Sequence, residues 1–193
     1  MIRESVGNVE IRLETAEGLF SPRSIDRGTR AMLLKAEITP GMKVLDLGCG
    51  AGPVGIYCAH FTEPKNVFMI DVNPEAAETA RNNAYLNGFE IHSSVSDGFR
   101  DFTETGFDLI LSNPPYQTDF AVARHFIEKG FNRLKIGGRM MMVTKRRAWY
   151  ENKLRSVFGG CRVEEADGYF VFTAEKREAS YASARKKADS PKR

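Results

Sequence analysis

The stretch Val44-Leu45-Asp46-Leu47-Gly48-Cys49-Gly50-Ala51-Gly52-Pro53-Val54-Gly55 constrains this chain more than any other. A short apolar run leads into closely spaced glycines, and an apolar helical pattern starts at Val54. That order reads as strand, tight turn and helix N-terminus. Glycine lets the backbone turn sharply and approach a ligand with no Cβ in the way. The helix start adds unpaired N–H groups and the positive end of a dipole. A second apolar run, Val67-Phe68-Met69-Ile70, ends on Asp71, where a nucleotide-binding βαβ unit places the acid that holds ribose hydroxyls.

The rest of the chain extends this pattern. Val9 to Glu14 alternates apolar and charged residues, so residues 1–25 read as an N-terminal strand or flap region. A helix is expected from Asp26 to just before Pro40-Gly41, carrying Ala31, Leu33, Leu34 and Ile38. Strand 43–47 and helix 53–61 flank the glycine turn, and strand 67–71 follows. Asn73-Pro74-Glu75 supplies a cap, a proline at the first helical position and an early acid. That helix stops at Asn87-Gly88. Strands are expected at 89–95, 107–112 and 139–144, and helices at 119–135 and 148–158. Strands 161–165 and 169–174 form an antiparallel pair across Asp167-Gly168. The fold class is therefore α/β: a mostly parallel, seven-stranded, Rossmann-like sheet with helices on both faces and an antiparallel C-terminal strand.

Residues 1–174 read as a single domain, and residues 175–193 as a basic, disordered tail with seven Lys/Arg against three acids. No apolar run approaches a membrane span, and Met1-Ile2-Arg3-Glu4-Ser5 lacks the apolar core of a signal peptide. Cys49, Cys58 and Cys161 are odd in number and widely spaced, which suggests free thiols in a reducing cytoplasm. His60, His92 and His125 lack metal-ligand spacing, so no metal is expected. Charge is divided unevenly. Residues 1–128 carry 11 Lys/Arg and 18 Asp/Glu, whereas residues 129–193 carry 17 and 7. The basic half suits a polyanion such as RNA, or simply a solvated surface. The run Lys145-Arg146-Arg147, ahead of Trp149 and Tyr150, carries the same two readings.

Two ligand classes fit the glycine turn, a dinucleotide and S-adenosylmethionine. Asp46, at the strand's end, suits a cationic ligand and would repel a pyrophosphate. Pro53 removes an N–H donor that a pyrophosphate would use. No Tyr-x-x-x-Lys pair appears downstream. These details favour S-adenosyl-L-methionine. Gly48, Gly50 and Gly52 are then assigned with Asp46 to its methionine end, Asp71 to its ribose and Asp97 to its adenine, and Cys49, Val72, Gly98 and Asn113 are counted among its contacts. Asp97 also reads as a solvated turn residue, and Phe99 as either an adenine neighbour or core.

Asn113-Pro114-Pro115-Tyr116 follows the strand 107–112, at the same carboxyl-end crevice. An exocyclic or amide nitrogen is a poor nucleophile because its lone pair is delocalised. The Asn113 side-chain oxygen and the Pro114 carbonyl can each accept one of its N–H groups and aim the lone pair at a methyl donor. The prolines stiffen the loop, and Tyr116 offers a stacking face to a planar substrate.

Together, Asp46-Leu47-Gly48-Cys49-Gly50-Ala51-Gly52 and Asn113-Pro114-Pro115-Tyr116 resemble class I S-adenosylmethionine methyltransferases acting on amino or amide nitrogens. Within that class the chain is similar to the "small domain" group, typified by ribosomal RNA guanine-N2 methyltransferases. Phe20-Ser21 and Asp26-Arg27-Gly28-Thr29 resemble the group's N-terminal cofactor motif, which implies cofactor contacts at Phe20 and Thr29. Ala80-Arg81-Asn82-Asn83-Ala84, Asn87-Gly88, Lys145 and Gly168-Tyr169-Phe170-Val171 carry the resemblance across about residues 9–174. It implies a cytoplasmic enzyme that methylates guanine N2 in ribosomal RNA, with the target base unpaired or flipped out. Guanine-N2 enzymes often have Phe at the position of Tyr116, and many carry a further N-terminal domain that is not expected here. Asn-Pro-Pro-Tyr equally suits a protein glutamine or a transfer-RNA adenine N6 acceptor. From other classes, a nicotinamide-dependent oxidoreductase and a non-catalytic RNA-binding module remain as alternatives.

Overall fold

The computed structural model describes residues 1–14, 24–115 and 120–183. Phe20, Tyr116 and residues 184–193 of the expected tail lie outside these. The chain opens with an antiparallel hairpin, β1 (Ile2–Val6) and β2 (Val9–Leu13). Then come α1 (Arg27–Leu33), β3 (Val44–Leu47), α2 (Pro53–Ala59), β4 (Val67–Asp71) and α3 (Pro74–Leu86). β5 (His92–Val95), β6 (Phe107–Ser112), α4 (Phe120–Arg133), β7 (Leu134–Thr144), α5 (Arg147–Phe158), β8 (Arg162–Ala166) and β9 (Tyr169–Glu175) complete it.

The seven-stranded sheet has the order β5-β4-β3-β6-β7-β9-β8, parallel except for β9, which runs antiparallel to both neighbours. From β3 the chain steps outward to β4 and β5, then returns to β6 on the other side of β3. The carboxyl ends of β3 and β6 therefore meet at the topological switch, where α/β sheets open a crevice. One apolar cluster joins the hairpin, α1, α2 and α3 to one face of the sheet. A second joins α4 and α5 to the other. Leu45, Leu47, Ile70, Ile110 and Met142 point into the second cluster, and their strand neighbours Val44, Met69, Leu109, Leu111, Met141 and Val143 into the first. Period-two alternation with both faces covered is why these strands read as continuous apolar runs. Among the described residues no helix is long and apolar enough to cross a membrane.

Several expected boundaries move. The first helix ends at Leu33, closed by Lys35 N–H to Met32 O and Ala36 N–H to Leu33 O, and Leu34 is exposed. The weak strand 89–95 shrinks to His92–Val95; it is polar because it lies at the sheet edge. Gly137-Gly138, between the expected helix 119–135 and strand 139–144, lies inside β7. There the pairing with β6 skips from Phe107↔Leu134 to Leu109↔Arg139, leaving extra residues on β7. Gly137, with φ +82°, absorbs this bulge, and a Cβ on Gly138 would lie 2.6 Å from the Phe107 carbonyl. The ordered domain also passes the expected boundary at 174. Lys176 Nζ donates to Leu134 O at 2.8 Å, and Tyr181 OH to Glu128 O at 2.8 Å, with its ring edge-on to Phe131. Residues 175–183 thus pack on the domain rather than beginning a disordered tail.

Candidate functional site

The glycine turn is fixed from both sides. Asp71, ending β4, accepts from Gly50 N–H through Oδ2 at 2.9 Å and from Asn73 N–H through Oδ1 at 2.9 Å. Asn73 in turn caps α3, accepting from Glu75 N–H at 3.0 Å. On the other side, Asn83 of α3 donates to Ala51 O at 2.9 Å. Asn83 also exchanges two hydrogen bonds with the backbone of Glu14, at 2.7 and 2.8 Å, and Asn87 does the same with Arg12, at 2.9 and 2.7 Å. Two asparagines one helical turn apart therefore clamp β2 and its exit to α3 and tie both to the turn. Gly52, at φ +84°, has no room for a side chain, since a Cβ would sit 3.0 Å from Ala80 Cβ. It shapes the turn from behind and is absent from the residues that line the crevice.

The crevice is a cavity of about 360 Å³ over the carboxyl ends of β3, β4 and β6. Asp46, Gly48, Cys49, Gly50, Asp71, Val72, Asp97 and Gly98, all expected as cofactor contacts, line it. So do Thr29, Asn113 and Pro115, whereas Pro114 between the last two is buried. Asp97 keeps its exposed turn character and pairs with Arg100 at 3.3 Å. Phe99 fills the core and is absent from the lining; the aromatic wall is Phe126 of α4, which lies in the expected helix 119–135 and is not among the expected site residues. Nothing in the local sequence separates an α4 residue that faces the sheet from one that overhangs its end.

Four aspartates, Asp26, Asp46, Asp71 and Asp97, line this cavity, and no Lys, Arg or His does among the described residues. That lining attracts a cationic ligand and repels a pyrophosphate. Asp46 is only 2% exposed and accepts Gly55 N–H at 2.9 Å. Burial pushes its pKa up to about 7, the Gly55 N–H opposes the rise, and the Asp71 charge adds to it. Burial also raises the Cys49 thiol well above its usual range, so it stays protonated and is no nucleophile. Among the described residues no group of three or more His, Cys, Asp or Glu is placed to hold a metal ion.

The acceptor loop is held by contacts the sequence did not reveal. Asn113 Nδ2 donates to Asp26 Oδ2 and to Thr29 Oγ1, both at 2.9 Å. The NH₂ group thus spends both hydrogens on α1, which fixes the carboxamide with its carbonyl as the accepting end. Asp26 caps α1 through Thr29 N–H at 3.1 Å and accepts Tyr169 OH at 3.3 Å. Thr29, expected as a cofactor contact, serves Asn113 as well as lining the crevice. A Cβ at Gly28 would meet the Tyr169 ring at 2.6 Å and Asp26 Oδ2 at 2.9 Å. Gly28→Ala is expected to lower stability by about 1–3 kcal/mol by overpacking this junction. Thermal unfolding checks it, and an unchanged melting temperature would mean that Tyr169 swings aside without penalty.

Known proteins share this fold. A family model described as the methyltransferase small domain matches residues 10–173. The curated relatives include proteins named ribosomal RNA small subunit methyltransferase C. The one from Pseudomonas putida is 31% identical over 85% of this chain and 51% of its own length. Its counterpart from Serratia proteamaculans is 31% identical over 92% and 52%. The chain therefore spans about half the length of the curated relatives it matches. A solved Thermus thermophilus 16S rRNA N2 methyltransferase (RsmC), in complex with AdoMet and guanosine, superposes with a TM-score of 0.84 at 25% identity, covering 91% of this chain and 50% of that one. TrmN from Thermus thermophilus gives a TM-score of 0.65 at 27% identity, over 77% and 48%. With the fold, the glycine turn and the Asn-Pro-Pro-Tyr loop all inside the matched span, the chain belongs to the methyltransferase small domain family.

Proposed function

We propose that this protein transfers the methyl group of S-adenosylmethionine to the exocyclic N2 of a guanine in ribosomal RNA. The observation that carries the reading is the Asn113 carboxamide, fixed by Asp26 and Thr29 at the mouth of an acidic crevice. The names of the relatives and the guanosine in the Thermus complex support the choice of base. S-adenosylmethionine supplies a sulfonium-activated methyl when bound. The crevice suits it, because its aspartates complement positive charge and its glycine turn leaves room for a ligand backbone.

The chain's residues then act by position. Asp46 holds the cationic methionine end, and Asp71 accepts the ribose hydroxyls with the lone pairs that Gly50 and Asn73 leave to it. Asp97 and Phe126 flank the adenine. The Asn113 oxygen and the Pro114 carbonyl accept the two amino hydrogens of the base, drawing its nitrogen lone pair out of conjugation and toward the methyl. As the N–C bond forms, the electron pair of the breaking C–S bond stays on sulfur. The amino proton, acidic once the nitrogen is methylated, leaves to water, so no strong base is needed. Tyr116, next in sequence, supplies a stacking face for the base. We place the reaction in the cytoplasm, on RNA whose target base is unstacked.

The test is labelled-methyl transfer to a small-subunit ribosomal RNA transcript, read by nucleoside mass spectrometry. N2-methylguanosine is expected. N6-methyladenosine would keep the mechanism and replace the base, and methylated glutamine with unmodified RNA would move the acceptor to protein. A ligand-protection scan separates the oxidoreductase reading. S-adenosylhomocysteine at 100 times its Kd should stabilise the fold by about 2.7 kcal/mol, or ~5–10 °C in melting temperature. NAD should do nothing, and protection by NAD alone would overturn the assignment.

A further inference from the structure

We propose that Lys145 and Arg146, with the N-terminus of α5, form a clamp for the RNA phosphates beside the target base; this rests on the RNA acceptor proposed above. The position follows from strand register. Ser112 of β6 pairs with Met142 of β7, so Asn113 lies one residue beyond the pair and Lys145 three. Lys145 therefore rises roughly 7 Å higher than Asn113 along the strand direction, on the carboxyl-end side of the sheet where the crevice opens. A chain of contacts joins them. Lys145 Nζ sits 5.0 Å from the Tyr169 ring centroid, Tyr169 OH donates to Asp26, and Asp26 accepts from Asn113.

The local electrostatics is unusual for a surface that is only solvated. Three cations in a row stand at the start of a 12-residue helix, where the dipole is already positive. The α5 first turn contains no acid, and the N-cap Arg146 makes no side-chain cap hydrogen bond. Cations there repel the helix end, whereas an anion would satisfy its N–H groups and the cations together. Arg147 is partly neutralised, pairing with Glu151 at 3.0 Å. Among the described residues, neither Lys145 nor Arg146 pairs with a carboxylate. Each instead places its charged end over an aromatic ring, Arg146 at 5.2 Å from the Phe120 centroid, in a side chain that stays exposed. Phe120 in turn stacks on Trp149 at 4.3 Å. Ring contacts thus fix both cations just beyond the end of β7, a geometry that fits a polyanion lying across the site.

Counterion release makes the clamp measurable. Each neutralised phosphate of a single strand contributes about −0.7 to the slope of log K against log salt. The probe is an unmethylated small-subunit ribosomal RNA transcript bound to the full chain. Lys145→Gln/Arg146→Gln should reduce the slope by about 1.4 and raise KM for the transcript about tenfold at 0.15 M salt, without altering S-adenosylmethionine affinity. Lys145→Arg/Arg146→Lys should retain the wild-type slope, which separates charge from local packing. Lys65→Gln/Lys129→Gln, which removes two exposed lysines away from the crevice, should leave it unchanged. A neutral variant with wild-type slope and KM, or a Lys65/Lys129 variant with the same losses, overturns the clamp and leaves the RNA reading standing. A wild-type protein that transfers no methyl to RNA overturns that reading, and the clamp falls with it.

Discussion

Asn113→Ala is expected to lower methyl transfer by about 10²–10³-fold while S-adenosylmethionine affinity stays within threefold. The asymmetry follows from the site. Asn113 stands just beyond the end of β6, whereas Asp71 and Asp97, which hold the cofactor in the proposed mechanism, lie at the ends of β4 and β5. The substitution removes an acceptor that orients the nucleophile and leaves the cofactor's own contacts in place. It also leaves Asp26 without the Nδ2 donor, but Asp26 keeps Thr29 N–H and Tyr169 OH. The fold therefore survives, and the loss falls on turnover. Calorimetric titration of the cofactor, run beside single-turnover methylation of a ribosomal RNA transcript, separates the two effects. Normal turnover in the variant would sink the orienting mechanism, and loss of cofactor binding would place Asn113 in the wrong half of the site.

What could be read from sequence divides along contact distance. The glycine turn, the Asp71 carboxylate and the Asn73 cap are local features, each set by residues a few positions apart, and the structure joins them, with Gly50 and Asp71 lining the crevice and Asn73 N–H bonded to Asp71. The antiparallel last strand and the all-parallel remainder follow from element order. The network that positions Asn113 is different: its hydrogen bonds to Asp26 and Thr29 span 87 and 84 residues, and Tyr169 reaches Asp26 across 143. Neither periodicity nor spacing carries such a pairing. The β7 bulge was missed for a related reason. Gly137-Gly138 resembles a helix-stop signal locally, and only the β6 partner reveals that the strand runs through it. Phe126 shows a third limit, because apolar spacing assigns a residue to a face but not to the part of that face that overhangs a ligand.

Asp46→Asn is expected to stabilise the ligand-free protein at pH 8 and to weaken S-adenosylmethionine binding about 10²-fold. In the native protein the Asp46 carboxyl is raised from 3.8 to about 7, chiefly by burial. A raised pKa means that the folded state holds the proton more tightly than the unfolded chain. The corresponding stability is present in full below pH ~4 and is lost as pH climbs through about 7, a total on the order of 4 kcal/mol. Asparagine keeps an oxygen for Gly55 N–H and never ionises, so the variant's melting temperature should lose this decline. Burying the new amide hydrogens offsets part of the gain, at about 1–3 kcal/mol. A net ~2 kcal/mol at pH 8 corresponds to roughly 4–8 °C for a domain of this size. Binding moves the other way. The cationic methionine end draws on an ionised partner, so wild-type affinity should fall about tenfold per unit as pH drops below about 7, and the variant should show a weak, flat profile. Thermal unfolding and cofactor titration from pH 5 to 8.5 measure both. If the variant melts below wild type at pH 8, or binds S-adenosylmethionine with wild-type strength, Asp46 is a structural acid and not the cofactor's counter-ion. If both shifts appear together, the buried charge at the end of β3 is a strain that the fold carries until a cation relieves it, which is why a stabilising substitution there removes the function.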